Sequence, residues 1–143
     1  MPVENMNHIK ICTVCCAAML LTACGESSAP EPQTSEMQYI KKVELFDTLT
    51  DMYNNPDQYL GKQYHIVGTL YPSVEDNETF YSVYAEGKDG HGIGLELDWK
   101  DFSGFEDYET VTVEGTLEKT SGEHDGQQIE YLILRVSKLE KRK

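Results

Sequence analysis

The chain has 143 residues, with 25 acidic against 12 basic side chains and a formal net charge of −13. A length of this order predicts one domain once targeting and linker segments are set aside. Because the excess of negative charge repels polyanions, we expect no nucleic-acid partner.

The first 23 residues have the pattern of a secretory signal peptide. A short region ending at Lys10 precedes an apolar run over residues 11–21, and small residues follow. Residues 11–23 are too few to cross a bilayer, which takes roughly 20 apolar residues. Met1 and Met6 are both possible starts of this leader.

Leu21-Thr22-Ala23-Cys24 closes the apolar run and resembles a bacterial lipobox. The resemblance implies cleavage before Cys24, whose thiol would carry diacylglycerol in a palmitate-type lipid anchor. We therefore predict a signal peptide over residues 1–23 and a lipid-anchored flexible linker over residues 24–37, which is rich in Ser, Pro and Glu. The expected location is the extracytoplasmic side of the cell membrane.

Residues 38–143 hold the predicted folded domain. The remaining cysteines, Cys12, Cys15 and Cys16, lie in the leader, so the domain has no disulfide framework. A helix is predicted over residues 39–53, where large apolar residues recur at helical spacing, and Asn54-Asn55-Pro56 ends it. The aromatic stripe of this helix is expected to face the domain. It consists of Tyr39, Val43, Phe46, Thr50 and Tyr53, and Leu45, Leu49 and Met52 widen it.

Five strands are predicted after the helix, with apolar residues at alternate positions. They cover residues 64–71, 80–85, 93–99, 111–117 and 129–136, with a polar turn over residues 72–79 and a basic tail over residues 137–143. A hairpin is predicted over residues 120–127, where Ser121-Gly122 and Asp125-Gly126 are both turn signals. Gly68 and Gly115 lie inside two strands and would let them coil. Closure of such a sheet removes its edges, which indicates a mainly β, five-stranded OB-fold-like barrel preceded by a helix.

Four stretches carry a resemblance to the OB-fold lipoprotein domains of Gram-positive bacteria. They are residues 55–62 (NPDQYLGK), Val67-Gly68, residues 92–96 (GIGLE) and residues 111–116 (VTVEGT). That family is largely uncharacterised, so the resemblance implies fold and location. Members often place a Cys-Cys pair before the Gly-Leu-Glu strand, where this chain has Lys88-Asp89-Gly90-His91, and no thiol-dependent role is expected.

The strand alternation places Tyr71, Phe80, Tyr84, Glu96 and Asp98 on one face of the predicted barrel. OB-folds bind ligands over their second and third strands. These five residues are therefore the candidate ligand-binding residues of a module for a protein, glycan or small ligand. The alternative is that Phe80 and Tyr84 lie beneath the helix and offer no binding surface.

No HExxH, GxSxG, P-loop or CxxC pattern occurs in residues 38–143, so we expect no catalytic residues, no enzyme activity and no cofactor. We expect a monomer. An alternative hypothesis is a divalent-cation site formed by His91, Glu96 and Asp98. A less favoured one is an envelope enzyme that uses Glu96 and Asp98 as paired carboxylates.

Overall fold

The computed structural model describes residues 36–143. The elements are β1 (Gln38–Ile40), α1 (Leu45–Asn54), a 3-10 turn (Pro56–Gln58), β2 (Gln63–Glu75), β3 (Glu78–Glu86), β4 (Gly92–Asp98), β5 (Thr110–His124) and β6 (Gln127–Lys141). The predicted signal peptide, Cys24 and the linker up to residue 35 lie outside the described residues. From residue 36 onward, no helix combines the length and the hydropathy needed to cross a membrane.

Strands β2 to β6 form a closed barrel, in the order β2-β3-β4-β6-β5. Closure occurs where β5 returns to β2, from the pair Gln63↔Thr116 to the pair Thr69↔Thr110. The short strand β1 runs parallel to β2. The predicted fold class, a five-stranded barrel preceded by one helix, is confirmed.

The barrel core follows the predicted alternation. Ile66 and Leu70 of β2 are fully buried, as are Leu95 of β4 and Val113 of β5. Full burial of each such side chain stabilises the fold by about 1.5–3 kcal/mol. At Gly115 a β-bulge interrupts the pairing of β5 with β6, as expected for a glycine inside a coiled strand.

The predicted helix was too long, and its buried face is centred on the residues that were expected only to widen the stripe. Residues 38–40 form a strand along β2, and Tyr39 and Val43 are 70% and 86% exposed. The buried residues of α1 are Leu45, Leu49 and Met52, which join the barrel core. Their i, i+4, i+7 spacing places these three side chains on one helix face. Of the aromatic stripe, Phe46 packs partly against the core, whereas Tyr39 and Val43 precede the helix.

Both long hairpins extend further than the sequence predicts. β2 continues to Glu75, and the turn is only Asp76-Asn77, both with positive φ as a type I′ hairpin turn requires. β6 likewise continues to Lys141 through most of the predicted tail. Side chains near the β2–β3 tip are exposed on both faces, so backbone pairing continues there without an apolar alternation.

Candidate ligand groove

Cross-strand register assembles one outer face from β2, β3, β4 and β6. Ser82 pairs with Glu96, and Asp98 pairs with Arg135. The neighbouring pair, Val83 and Leu95, is buried, so Ser82 and Glu96 point out of the barrel. The same alternation places all five candidate ligand-binding residues on the outer face.

Two hairpin arms flank this face. The β2–β3 arm ends at Asp76-Asn77, and the β5–β6 arm ends at Asp125-Gly126, one of the two turn signals in the sequence. The arms approach each other where Nδ1 of His124 lies 3.6 Å from Oε2 of Glu75. Their outer-face side chains therefore form walls on either side of β4.

The space between the arms is a groove of about 430 Å³, which we call the ligand groove. This volume is in the range of small-ligand sites, about 300–1,000 Å³. Its lining comes from α1, both arms and β4. The lining residues are Tyr53, Ser73, Glu75, Phe80, Ser82, Gly94, Glu96, Gly122, Glu123, His124, Ile129, Tyr131 and Leu132.

A second depression of about 530 Å³ adjoins the ligand groove and shares Phe80, Glu96 and Tyr131 with it. Asp98 and Trp99 line it as well. The shared residues make the two spaces continuous along the outer face. A ligand could therefore extend from the arms toward the end of β4.

Glu96 lies at the junction of these two spaces and has no cationic partner. No ion pair or hydrogen bond joins its carboxylate to another side chain within residues 36–143. Partial burial raises the pKa of Glu96, and repulsion from Glu75 and Asp98 adds to the rise. Burial raises the pKa of Tyr53 and Tyr131, and the negative charge of Glu96 raises both further.

Asp98, in contrast, has a cationic partner, Arg135. Nη1 of Arg135 donates a hydrogen bond to its carboxylate, while Nε of Arg135 donates to Oε2 of Glu118 at 2.8 Å. Asp98 lines the second depression but not the ligand groove. Its role there is therefore to orient Arg135 as much as to face a ligand.

The candidate aromatic residues divide into two groups. Phe80 lines both spaces and is only partly buried. Tyr71 and Tyr84 line neither; their rings stack on each other with centroids 4.6 Å apart, and Tyr108 meets Tyr71 edge-on at 5.4 Å. Neither Phe80 nor Tyr84 is fully buried, so the outer face still presents aromatic surface.

Sequence reasoning missed Tyr53, Glu75, His124 and Tyr131 as lining residues. The Asp125-Gly126 turn signal is the clue that could have placed His124 and Tyr131, because it sets the register of the β5–β6 arm. The sequence carries no equivalent signal for Tyr53, which reaches β4 through the packing of α1. Its hydroxyl donates to the carbonyl oxygen of Gly94 at 2.8 Å.

The three candidate metal ligands are not brought together. His91 precedes β4, whereas Asp98 ends it, and the His91 ring pairs with Asp89 at 2.9 Å. In the described part of the chain, no three His, Cys, Asp or Glu side chains are arranged to hold a metal ion. The spacing of His91 from Glu96 along an extended strand accounts for this separation.

Comparison with solved structures finds similarity to the small single-stranded DNA-binding protein from Streptomyces coelicolor. The TM-score is 0.40 at 14% identity, over 57% of this chain and 94% of that chain. The exclusion of a nucleic-acid partner, which rested on net charge, is corrected and withdrawn. Net charge sums the whole surface, and it does not by itself exclude a class of ligand from one groove.

A comparison with curated proteins gives no match. A comparison with protein families, in contrast, matches residues 25–143 to the family described as the DUF1980 C-terminal domain. This range includes all of the barrel, both arms and α1. The chain therefore belongs to the DUF1980 C-terminal domain family.

Proposed function

We propose that the chain is a membrane-anchored, extracytoplasmic lipoprotein whose OB-fold domain is a non-catalytic binding module for a protein, glycan or small ligand. The observation that carries the binding role is the ligand groove. It lies over β3 and β4, the second and third strands of the barrel, between the two hairpin arms, which is where OB-folds hold ligands.

The chemistry of the groove supports binding. Phe80 and Tyr131 present partly buried rings, and Glu96 presents a carboxylate without a counter-charge. Sites of this kind combine apolar surface with a few polar groups that orient the ligand. The arms supply this lining on both sides of β4, so a ligand would be held by groups from several strands.

The anchoring part of the proposal is supported by the leader sequence. Residues 1–23 would be removed as a signal peptide, Cys24 would carry lipid, and residues 24–37 would tether the domain of residues 38–143 to the cell membrane. A tether of this length, if extended at about 3.3 Å per residue, reaches on the order of 40 Å. The groove could then meet envelope components without contacting the bilayer.

Site-specific photo-crosslinking in intact cells tests the binding role. The full chain carries a photoreactive phenylalanine analogue either at Glu123, which lines the ligand groove, or at Asp47, an exposed acidic residue of α1 that does not. We expect adducts at position 123 and none at position 47, detected by intact-mass spectrometry so that small ligands also register. Equal yields at the two positions, or no adduct at position 123, would contradict the proposal.

A further inference from the structure

One edge of β4 lacks a strand partner over half of its length. β3 pairs with β4 from Gly92 to Glu96, but β6 pairs with β4 only over residues 96–98. On the β6 side, residues 92–95 therefore face a gap in the barrel wall. A strand edge with unpaired backbone groups can accept another chain.

A side chain from α1 occupies this gap. The hydroxyl of Tyr53 donates to the carbonyl oxygen of Gly94, where a neighbouring strand would offer an amide hydrogen. Tyr53 is 42% exposed, so its ring can move without opening the core. Gly94 has no side chain on the outer face, which lets another backbone approach.

The ligand groove lies directly along this edge. Gly94 and Tyr53 line one side of it, and Ile129, Tyr131 and Leu132 of β6 line the other. A segment placed between them would follow β4 from Gly94 toward Glu96. It would reach the second depression at its end, because Glu96 lines both spaces.

The charges that line the ligand groove indicate which kind of ligand it would bind. The groove is lined by Glu75 and Glu123 from the two arms and by Glu96 from its floor. His124 is the basic residue among its lining residues, and Lys100 and Arg135 line only the second depression. Within residues 36–143 Glu96 forms no ion pair, and its burial next to Glu75 and Asp98 costs electrostatic energy that a ligand cation would offset. The rings of Phe80 and Tyr131 can pack against the methylenes of a lysine or arginine.

Resting on the function proposed above, we propose that the ligand is an extended peptide segment carrying lysine or arginine, which adds as a strand to residues 92–95 and places a cationic side chain against Glu96. In this binding mode, main-chain hydrogen bonds supply affinity, and side-chain contacts supply specificity. The peptide amide would replace the Tyr53 hydroxyl at the Gly94 carbonyl.

The test is an amide NMR titration of the full chain with a terminally blocked peptide of about six residues in which lysine and valine alternate. We expect saturable shifts at Gly92, Gly94 and Glu96. Glu96→Gln should raise the Kd about tenfold, because it removes one charge-assisted contact. Asp47→Asn, which makes the same charge change on an exposed face of α1, should leave the Kd unchanged.

Two further measurements separate strand addition from attraction by charge alone. A peptide N-methylated at alternate residues keeps its charges but loses backbone donors, and we expect its shifts to disappear. Tyr53→Phe should bind the parent peptide as tightly as the wild type or several-fold tighter, since it removes the competing hydroxyl. Equal binding of the methylated peptide, or weaker binding by Tyr53→Phe, would overturn strand addition.

Different experimental results would contradict the peptide ligand and the binding role. Shifts in the groove with an oligothymidylate of about eight nucleotides, and none with the peptide, would overturn the peptide inference but retain a binding module. The same holds if photo-crosslinks form at position 123 while the peptide gives no shifts. Absence of those crosslinks would instead contradict the binding role itself.

Discussion

Leu45 of α1 packs directly against Gly68 of β2: a Cβ atom placed on Gly68 would lie 2.7 Å from Cδ2 of the leucine. Both residues are buried, and Leu45 is fully excluded from solvent. The glycine thus lets the helix approach the barrel more closely than any other residue would allow. This close approach holds α1 in place, and with it Tyr53 at the edge of β4.

Gly68→Ala should therefore destabilise the fold by about 1–3 kcal/mol, the range for overpacking a filled core. Urea unfolding followed by Trp99 fluorescence measures the change. Gly104→Ala is the control, because a Cβ at Gly104 would have no neighbour within 4 Å, and its effect should stay within about 0.5 kcal/mol. A Cβ on Gly68 would also lie 2.3 Å from Cγ2 of Val83, so equal costs for the two variants would show that neither neighbour restricts this position.

Leu97→Ala should destabilise the fold by about 2–5 kcal/mol, the range for a buried leucine. Leu97 is 4% exposed in the barrel core. The adjacent change Asp98→Ala should cost at most about 1 kcal/mol, because it removes an exposed ion pair and Arg135 keeps Glu118 as a partner. Chemical unfolding of both variants provides the comparison, and a reversed order would mean that the inward face of β4 is misassigned.

Glu96→Gln should make the fold slightly more stable at neutral pH, by up to about 0.5 kcal/mol. The pKa of Glu96 is raised above 4.5 in the folded state, by burial first and then by Glu75 and Asp98. Since the folded state holds this proton more tightly than the unfolded state, the wild type loses stability as pH rises through that raised pKa. The advantage of the variant should therefore fade as pH drops below about 4.5.

Thermal unfolding of wild type and Glu96→Gln between about pH 4 and pH 7 measures this difference. Glu44→Gln, an exposed acidic residue before α1, is the matched control. A variant that is less stable than the wild type at neutral pH would show that Glu96 has a stabilising partner.

Cys24→Ala should abolish lipidation and leave the leader uncut or cut elsewhere, because the lipobox-like segment ends at this cysteine. Mass spectrometry of the membrane fraction identifies the N-terminus of both proteins. In the wild type we expect it to begin at a diacylated Cys24. Any other wild-type N-terminus would contradict the anchoring proposal.

The alternation of apolar and polar residues was sufficient to predict the barrel strands. The alternation of Leu95 and Leu97 with Glu96 and Asp98 correctly assigned the inward and outward faces of β4, since a half-buried strand must bury every second side chain. The hairpin within residues 120–127 was also predicted, and Asp125-Gly126 rather than Ser121-Gly122 forms its turn, with positive φ at both residues. Each of these signals involves only residues that are a few positions apart along the chain.

Local spacing did not predict which side chains at the start of the domain are buried, nor where α1 begins. Tyr39, Val43 and Tyr53 fit a helical stripe as well as Leu45, Leu49 and Met52 do, since hydrophobicity alone does not distinguish a buried face from a partly exposed aromatic one. Pairing of residues 38–40 with β2 is a long-range backbone interaction that overrides local helical spacing. Only the barrel decides where the helix begins.

The order of residues was enough to predict that an acidic chain with a signal-like leader continues into alternating strands that can bury one face. The tertiary structure alone decided the groove, because Glu75 and His124 lie 49 residues apart along the chain and meet only when the two arms fold over β4. It also decided which edge of β4 stays open, since β6 joins β4 for only three pairs. Strand pairing over such separations depends on barrel closure and twist, which no local pattern of residues encodes.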